Sequence, residues 1–411
     1  MDRVELLAPA GDLEKLKMAI IYGADAIYLG GESFGLRKSS KNFSLDEIAE
    51  GVNFAHDNGK KVYVTLNIVP HNEDLDGLEE YVTKLYELNV DAVIVSDPGV
   101  FSIVKRTVPD LSIHISTQAS VTNYETIMFW YNLGAKRVVL ARELSLKEIK
   151  EITDRIPKDL EIEGFVHGAM CMSYSGRCLL SNYMTGRDAN RGDCAQPCRY
   201  KYSLVEEKRP GEYFPVYEDE DGTFIFNSKD LCMIEYIPEL IKAGIKSFKI
   251  EGRVKSSYYV STVLRSYRMA LDDYYKDPSG FVYKDKWLNE IKKVSHRDFT
   301  TGFYFGKPGS EAQVYTTSSY IRGYDFVGMV LDYDHKTKIA TVEQRNRMFC
   351  GDRIEIFGPS MDFFTQEIQD MYDENEERID VAPHPQQIVK IKMDRPVERF
   401  YLIRKSIEGE R

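Results

Sequence analysis

The 411-residue chain has no run approaching the roughly 18 apolar residues that a membrane-spanning helix needs. Its first residues, Met1-Asp2-Arg3-Val4-Glu5, show no basic segment followed by an apolar one, so no secretory leader is expected. A soluble cytoplasmic protein with no membrane partner is the expectation. An excess of basic residues is also missing. Lys and Arg number 54 against 65 Asp and Glu, a formal charge of −11. That excludes a uniformly basic coat for nucleic acid, but not a local basic cleft. No low-complexity tract and no repeat of fixed period occurs, which excludes linkers and solenoids. H-E-x-x-H, a P-loop and G-x-G-x-x-G are all absent, removing the commonest zinc-protease and nucleotide arrangements. Gly31-Glu32-Ser33-Phe34-Gly35 fits G-x-S-x-G, but polar residues follow the serine where a nucleophile elbow needs a helix.

What is present is a hydrophobic fraction of 43%, ample for a sizeable core, and six unevenly spread cysteines. Cys171, Cys178, Cys194 and Cys198 fall within 28 residues, while Cys232 and Cys350 stand apart. Cytoplasmic thiols stay reduced, so such a cluster points to metal or catalysis before disulfides. Neither pair has the C-x₂-C spacing of a zinc ribbon. The looser spacing suits an iron–sulfur cluster, whose thiolates need only converge on one compact body. A Cys₄ zinc site stays open because zinc uses the same soft ligands. Cys232 competes with Cys198 as a fourth ligand, and Cys350 reads as a lone small apolar residue.

The first half alternates β-branched runs with amphipathic helical patterns. Strands are expected over 4–7, 26–29, 61–67, 92–95, 112–116, 137–140, 160–166 and 247–250. Helices are expected between them, with Asp12, Ser44 and Ser145 as caps, and Glu47 completing a capping box. Another helix is expected from a Ser228 cap through Lys242, and a long one over 258–275. Eight strand–helix units read as a TIM-like (β/α)₈ barrel, because parallel strands need helical crossovers. A doubly wound open sheet is the alternative. Residues 168–226 break the rhythm as a cysteine-rich insertion, with a hairpin expected around Gly211 and Gly222. Beyond a connection at 292–309, strand-like runs at 326–331, 339–345, 352–357, 387–391 and 400–404 suggest a small antiparallel β-barrel. The domains are therefore 1–300 and 321–411.

A parallel barrel does its chemistry at the C-terminal ends of its strands. Polar residues there are Asn67, Asp97, Gln118, Arg142, Glu143, His167, Glu251 and Arg253, with Lys249 inside the last strand. Asp97, ahead of Pro98, equally suits a helix cap. Arg142 and Glu143 equally suit a surface pair. His167, Glu251 and Arg253 are the catalytic candidates. Asn67, Asp97, Gln118, Arg142 and Lys249 are the substrate-binding candidates. The cysteines follow the seventh strand and overhang the same mouth.

The run Glu163-Gly164-Phe165-Val166-His167-Gly168-Ala169-Met170-Cys171, with Gly176-Arg177-Cys178-Leu179-Leu180-Ser181, resembles the signature of the collagenase-like peptidase family (U-type, family 32). Leu7-Ala8-Pro9-Ala10-Gly11, Ser116-Thr117-Gln118 and Lys249-Ile250-Glu251-Gly252-Arg253 are also similar to that family. The stretch from Arg187 to Arg199, with Asp193-Cys194-Ala195-Gln196-Pro197-Cys198, resembles its tRNA-hydroxylation branch. The resemblance implies a TIM-like barrel with a cysteine-bound 4Fe-4S cluster. It implies oxygen-independent hydroxylation at C5 of the wobble uridine of tRNA, with prephenate as co-substrate. Cys171, Cys178 and Cys194 match the family's cluster cysteines, and the fourth is Cys198 or Cys232. No protease residues carry over, although a peptidase or a non-catalytic RNA-binding partner remains the alternative.

The residues suit those partners. A dicarboxylate such as prephenate needs Arg or Lys, which Arg142, Lys249 and Arg253 supply. The tRNA anticodon loop needs a basic track, for which Arg177, Arg187, Arg191, Arg199, Lys201, Lys255, Arg265 and Arg268 are candidates. A splayed uridine needs an aromatic platform, for which Tyr174 and Tyr183 stand nearest.

Overall fold

The computed structural model describes residues 3–35, 42–171, 173–174, 177–199, 203–204, 214–215, 228–308, 320–360 and 362–407. Seven parallel strands run in chain order: β1 (Glu5–Pro9), β2 (Ala26–Gly30), β3 (Lys61–Leu66), β4 (Ala92–Val95), β5 (Ser112–Ile115), β6 (Arg137–Val139) and β7 (Glu161–Ala169). Each pairs with the next, and the eighth strand, Ser247–Ile250, pairs with both β7 and β1. The sheet therefore closes on itself as a parallel barrel, and the open-sheet alternative falls.

Helices follow the strands as the capping residues dictate. In α1 (Leu13–Ile21) the Asp12 carboxylate accepts from Lys15 N. In α2 (Leu45–Asp57) Ser44 and Glu47 form a complete capping box. Then come α3 (Leu78–Glu87), α4 (Pro98–Thr107), α5 (Tyr124–Asn132) and α6 (Leu146–Thr153), the last with a Ser145–Glu148 box. Capping satisfies amide groups that a helix start leaves without partners. Strand interiors are buried on both sides, so apolar runs such as Val62–Leu66 are nearly continuous.

The excursion after β7 contains the short α7 (Leu180–Thr185) and a pair of two-residue antiparallel strands, Ser203–Leu204 with Phe214–Pro215. Gly211 and Gly222 themselves lie outside the described residues. The helix expected from Ser228 is not formed. Asp230–Cys232 is instead a strand, antiparallel to the end of β7, and Phe299–Thr300 pairs beside it. The extended β7 end offers hydrogen bonds that a helix at 229–232 would forgo. The helix is only α8 (Ile237–Lys242), opened by Pro238. A long α9 (Ser257–Lys276) and α10 (Asp285–Ile291) complete the barrel's jacket.

The C-terminal module is an eight-stranded antiparallel sheet of half-barrel form, not closed among the described residues. Its centre is Leu402–Ser406, Tyr324–Asp334 and Ile339–Gln344, and it adds Phe364–Glu367, Met371–Tyr372 and Arg378–Ile379 to the expected strands. Met329, Phe357 and Leu402 join the barrel's core. Tyr258 stacks on Phe326 at 5.3 Å between ring centres. Glu290 receives Arg404 at 2.9 Å and Arg265 at 3.0 Å in this buried interface. Among the described residues no helix is long and apolar enough to cross a membrane.

Candidate active site

The C-terminal ends of the barrel strands open into a cavity of about 560 Å³. Residues just beyond the strands build its wall: Asn67 after β3, Gln118 after β5, Arg142 after β6, and Glu251 and Arg253 after the eighth strand. Asn67 Nδ2 donates to Gln118 Oε1 at 2.7 Å, and Ser116 Oγ donates to the same oxygen at 3.1 Å. That fixes the amide pair as one polar ledge.

Charge is layered by depth. At the floor, Glu163 is fully buried, with Lys249 Nζ at 2.6 Å and Arg137 Nη1 at 3.2 Å. Arg137 also bonds Glu5 at 2.5 Å, and Tyr63 Oη donates to Glu5 at 2.6 Å. Burial pushes the Glu5 pKa up, but the Arg137 charge and these hydrogen bonds outweigh it, so the carboxylate sits below its usual range. Lys249 lies 4.4 Å over the Tyr28 ring, so its ammonium is paired from below and capped by an aromatic face.

Higher up, Arg142 donates to Ala169 O at 2.8 Å and stacks 3.8 Å over Phe165. No carboxylate pairs with it among the described residues, so the Arg142–Glu143 surface pair is not formed. Arg253 is buried and donates to Asn42 Oδ1 at 2.9 Å. Its guanidinium lies directly on the Cα of Gly30, where any Cβ would collide with it. Gly168 has φ +110°, and a Cβ there would stand 2.8 Å from the Glu251 backbone oxygen. Glycine at 168 thus lets the Glu251 turn cross β7 closely.

Three expected residues are not brought to this wall. Strict alternation from Glu163 and Phe165 would turn His167 inward. A one-residue bulge intervenes: Phe165 pairs with Lys249, but His167 pairs with Ile250. His167 therefore lies buried among Tyr259, Tyr267 and Phe299, with no partner for Nδ1. Burial lowers its pKa to about 3, so it is neutral there. Cys232 stands opposite His167 in register, beside Tyr267, and burial raises its thiol pKa to about 12. It belongs to the barrel wall, not to the mouth. Asp97 caps α4, accepting from Gly99 N at 2.8 Å and Val100 N at 3.0 Å.

Cys171, Cys178, Cys194 and Cys198 all line this cavity, and no disulfide joins them. The Cys178 thiol is lowered overall: burial opposes this, but hydrogen bonds from Ser173 and the amides of Ser181 and Leu180 outweigh it. Among the described residues no three His, Cys, Asp or Glu side chains are gathered tightly enough for a single metal ion. Four thiols converging on one cavity fit a multinuclear cluster in donor chemistry, since a cluster spreads its ligands further apart than one ion does.

Several wall residues were not singled out from the sequence. Tyr28, Thr65, Phe165, Lys229 and Thr300 all face the cavity. Thr65 lies two residues before Asn67 on one strand face, a signal that alternation offered. Its Oγ1 is buried with no partner. Lys229 reached the mouth through the strand that replaced the expected helix.

Of the expected basic track, Arg265 is buried against Glu290, and Arg268 pairs with Asp25 at 3.0 Å. Both lie away from the mouth. Arg187 pairs with Asp193 and Arg191 with Asp74. The Arg199 side chain and Lys201 lie outside the described residues.

Barrel, thiol-lined mouth and cationic wall define a (β/α)₈ protein with its chemistry collected at one end. The model described as "Peptidase family U32" matches residues 11–314, and that of its C-terminal domain matches 322–404. The chain belongs to peptidase family U32. The tRNA hydroxylation protein P1 of Bacillus subtilis is 48% identical, over 98% of this chain and 94% of that protein. The 23S rRNA 5-hydroxycytidine C2501 synthase of Escherichia coli is 42% identical, over 75% of this chain and 46% of that protein. A collagenase of Porphyromonas gingivalis is 32% identical, over 98% of this chain and 99% of that protein.

Proposed function

We propose that this protein is an RNA-modifying enzyme that hydroxylates tRNA, forming 5-hydroxyuridine at the wobble position with a dicarboxylate co-substrate such as prephenate. The observation that carries the reading is the 48% identity to the B. subtilis tRNA hydroxylation protein P1 across 98% of the chain. The rRNA hydroxycytidine synthase supports the same chemistry on a second pyrimidine.

In this reading Cys171, Cys178, Cys194 and Cys198 hold a 4Fe-4S cluster. When bound, such a cluster would supply one-electron chemistry. The protein's own residues bind and orient. Arg142 and Arg253 take the carboxylates, because guanidinium forks match carboxylate geometry. Lys249, held from beneath by Glu163, presents its ammonium to the cavity. The Asn67–Gln118 ledge offers amide groups to a pyrimidine edge. We assign Glu251, on the same wall, to hold a proton beside the reacting pyrimidine. Phe165, Tyr28 and Ile94 exclude water from the reacting centre.

The collagenase relative raises a peptidase reading, but among the described residues no histidine lines the cavity, so no Ser–His or Cys–His pair is assembled there. Mass spectrometry of tRNA nucleosides from a deletion strain tests the proposal. Loss of 5-hydroxyuridine is expected, and an unchanged nucleoside profile overturns it. Anaerobically purified protein should carry about four irons, and Cys171→Ala should lose both iron and 5-hydroxyuridine. A wild-type protein that holds no iron overturns the cluster assignment.

A further inference from the structure

Among the described residues, exposed large apolar side chains are mostly scattered along the chain, but four gather in one stretch. Tyr174, Leu179, Tyr183 and Met184 are all exposed within eleven residues, Tyr183 at 89% and Leu179 at 78%. Only four tyrosines are exposed among the described residues, and two of them are here. Leu179 and Tyr183 are four residues apart across α7, so they share one outward face. The opposite side is anchored: Ser181 is fully buried, and its Oγ accepts from Ala195 N at 3.0 Å. Neither Tyr174 nor Tyr183 has a ring partner among the described residues. Monomers rarely expose such a patch without a use for it.

Arg177 stands between these tyrosines. Its Nε donates to Gln118 O at 2.8 Å, which fixes the stem at the cavity rim. Its guanidinium is exposed and has no carboxylate partner among the described residues, unlike Arg187 and Arg191. Tyr174 and Cys178 line the cavity on either side in sequence. The patch is thus continuous with the proposed reaction site.

We propose that this face is a clamp for single-stranded RNA. Tyr183, with Leu179 beside it, stacks on a nucleobase flanking the one in the cavity, and Arg177 holds an adjacent phosphate. Flat apolar groups with a negative charge at each step are what a tyrosine platform and an unpaired, anchored guanidinium recognise together. A purely apolar protein contact would leave the Arg177 charge unexplained. This rests on the RNA reading above and adds which surface grips the substrate outside the cavity.

The test uses the purified holoenzyme and a tRNA anticodon stem-loop, with affinity measured by fluorescence anisotropy and turnover by mass spectrometry. Tyr183→Ala should weaken binding by about tenfold or more, and Tyr183→Phe should restore most of it, because stacking needs the ring and not the hydroxyl. Arg177→Ala should weaken binding and lower the slope of log affinity against log salt by about 0.7, the contribution of one phosphate on a single strand. KM for the RNA should rise, with the co-substrate KM unchanged. Wild-type binding with unaltered variants overturns the clamp and leaves the RNA reading intact. No wild-type binding overturns both. Unaltered RNA affinity together with loss of a self-associated form would make the face a dimer contact and overturn the clamp.

Discussion

Gly30→Ala isolates the seat of Arg253. Gly30 ends β2, and its φ is not positive, so alanine meets no backbone strain there. The obstacle is the guanidinium: a Cβ at position 30 would lie 2.8 Å from Arg253 Cζ, well inside van der Waals contact. Arg253 is 5% exposed, so its charged end must leave its place beside Asn42 rather than tilt slightly. A hydrogen bond from a charged group is worth about 1.5–3 kcal/mol. Losing that interaction with a carboxylate corresponds to a rise of about 10- to 150-fold in the co-substrate's KM. kcat at saturation should fall much less. The assay is in vitro formation of 5-hydroxyuridine at varied prephenate, with thermal melts to confirm that the variant is folded. Arg253→Ala should raise KM similarly, and the double variant should be no worse than either single one, since both remove one contact. Full additivity, or an unchanged KM in folded Gly30→Ala, would refute the assignment of Arg253 to the carboxylate.

Other expectations follow from the same geometry. Asp97→Ala should cost about 1 kcal/mol of stability by uncapping α4, with kcat/KM unchanged, because Asp97 does not reach the cavity. His167 is neutral when folded, and its pKa is near 3 against about 6.5 when unfolded. Between those values the unfolded chain binds a proton that the folded one does not, so stability falls as pH drops through the window. His167→Leu should flatten that fall by up to about 1.4 kcal/mol per pH unit, read from urea titrations at pH 6 and 5. An unchanged slope would refute the buried neutral assignment. Glu290→Gln should cost about 3–5 kcal/mol, seen as a lower urea midpoint, because it removes the negative charge facing buried Arg404 and Arg265.

The sequence carried the barrel because its signals are local. Asp12, Ser44 and Ser145 cap the helices they precede, and seven apolar runs at near-regular spacing, with an eighth after the insertion, mark eight buried strands. It also marked most of the wall, since Asn67, Gln118, Arg142, Glu251 and Arg253 each come within three residues of a strand's end, and a parallel barrel turns those positions to one mouth. Hidden from it were features that depend on a distant chain segment. Nothing near Ser228 announces that the β7 end will claim residues 230–232 as a strand, which carries Lys229 to the cavity and leaves Cys232 in the wall.

Local pattern therefore determined most of the barrel's elements and which strand ends face the chemistry. Tertiary structure decided the orientation of single side chains within that frame. The clearest case is His167. The motif that contains it is legible at once, yet one extra residue in the pairing of β7 with the eighth strand turns its ring from the cavity into an aromatic shell. A strand's two faces differ by one position of register, and register is set by the partner strand.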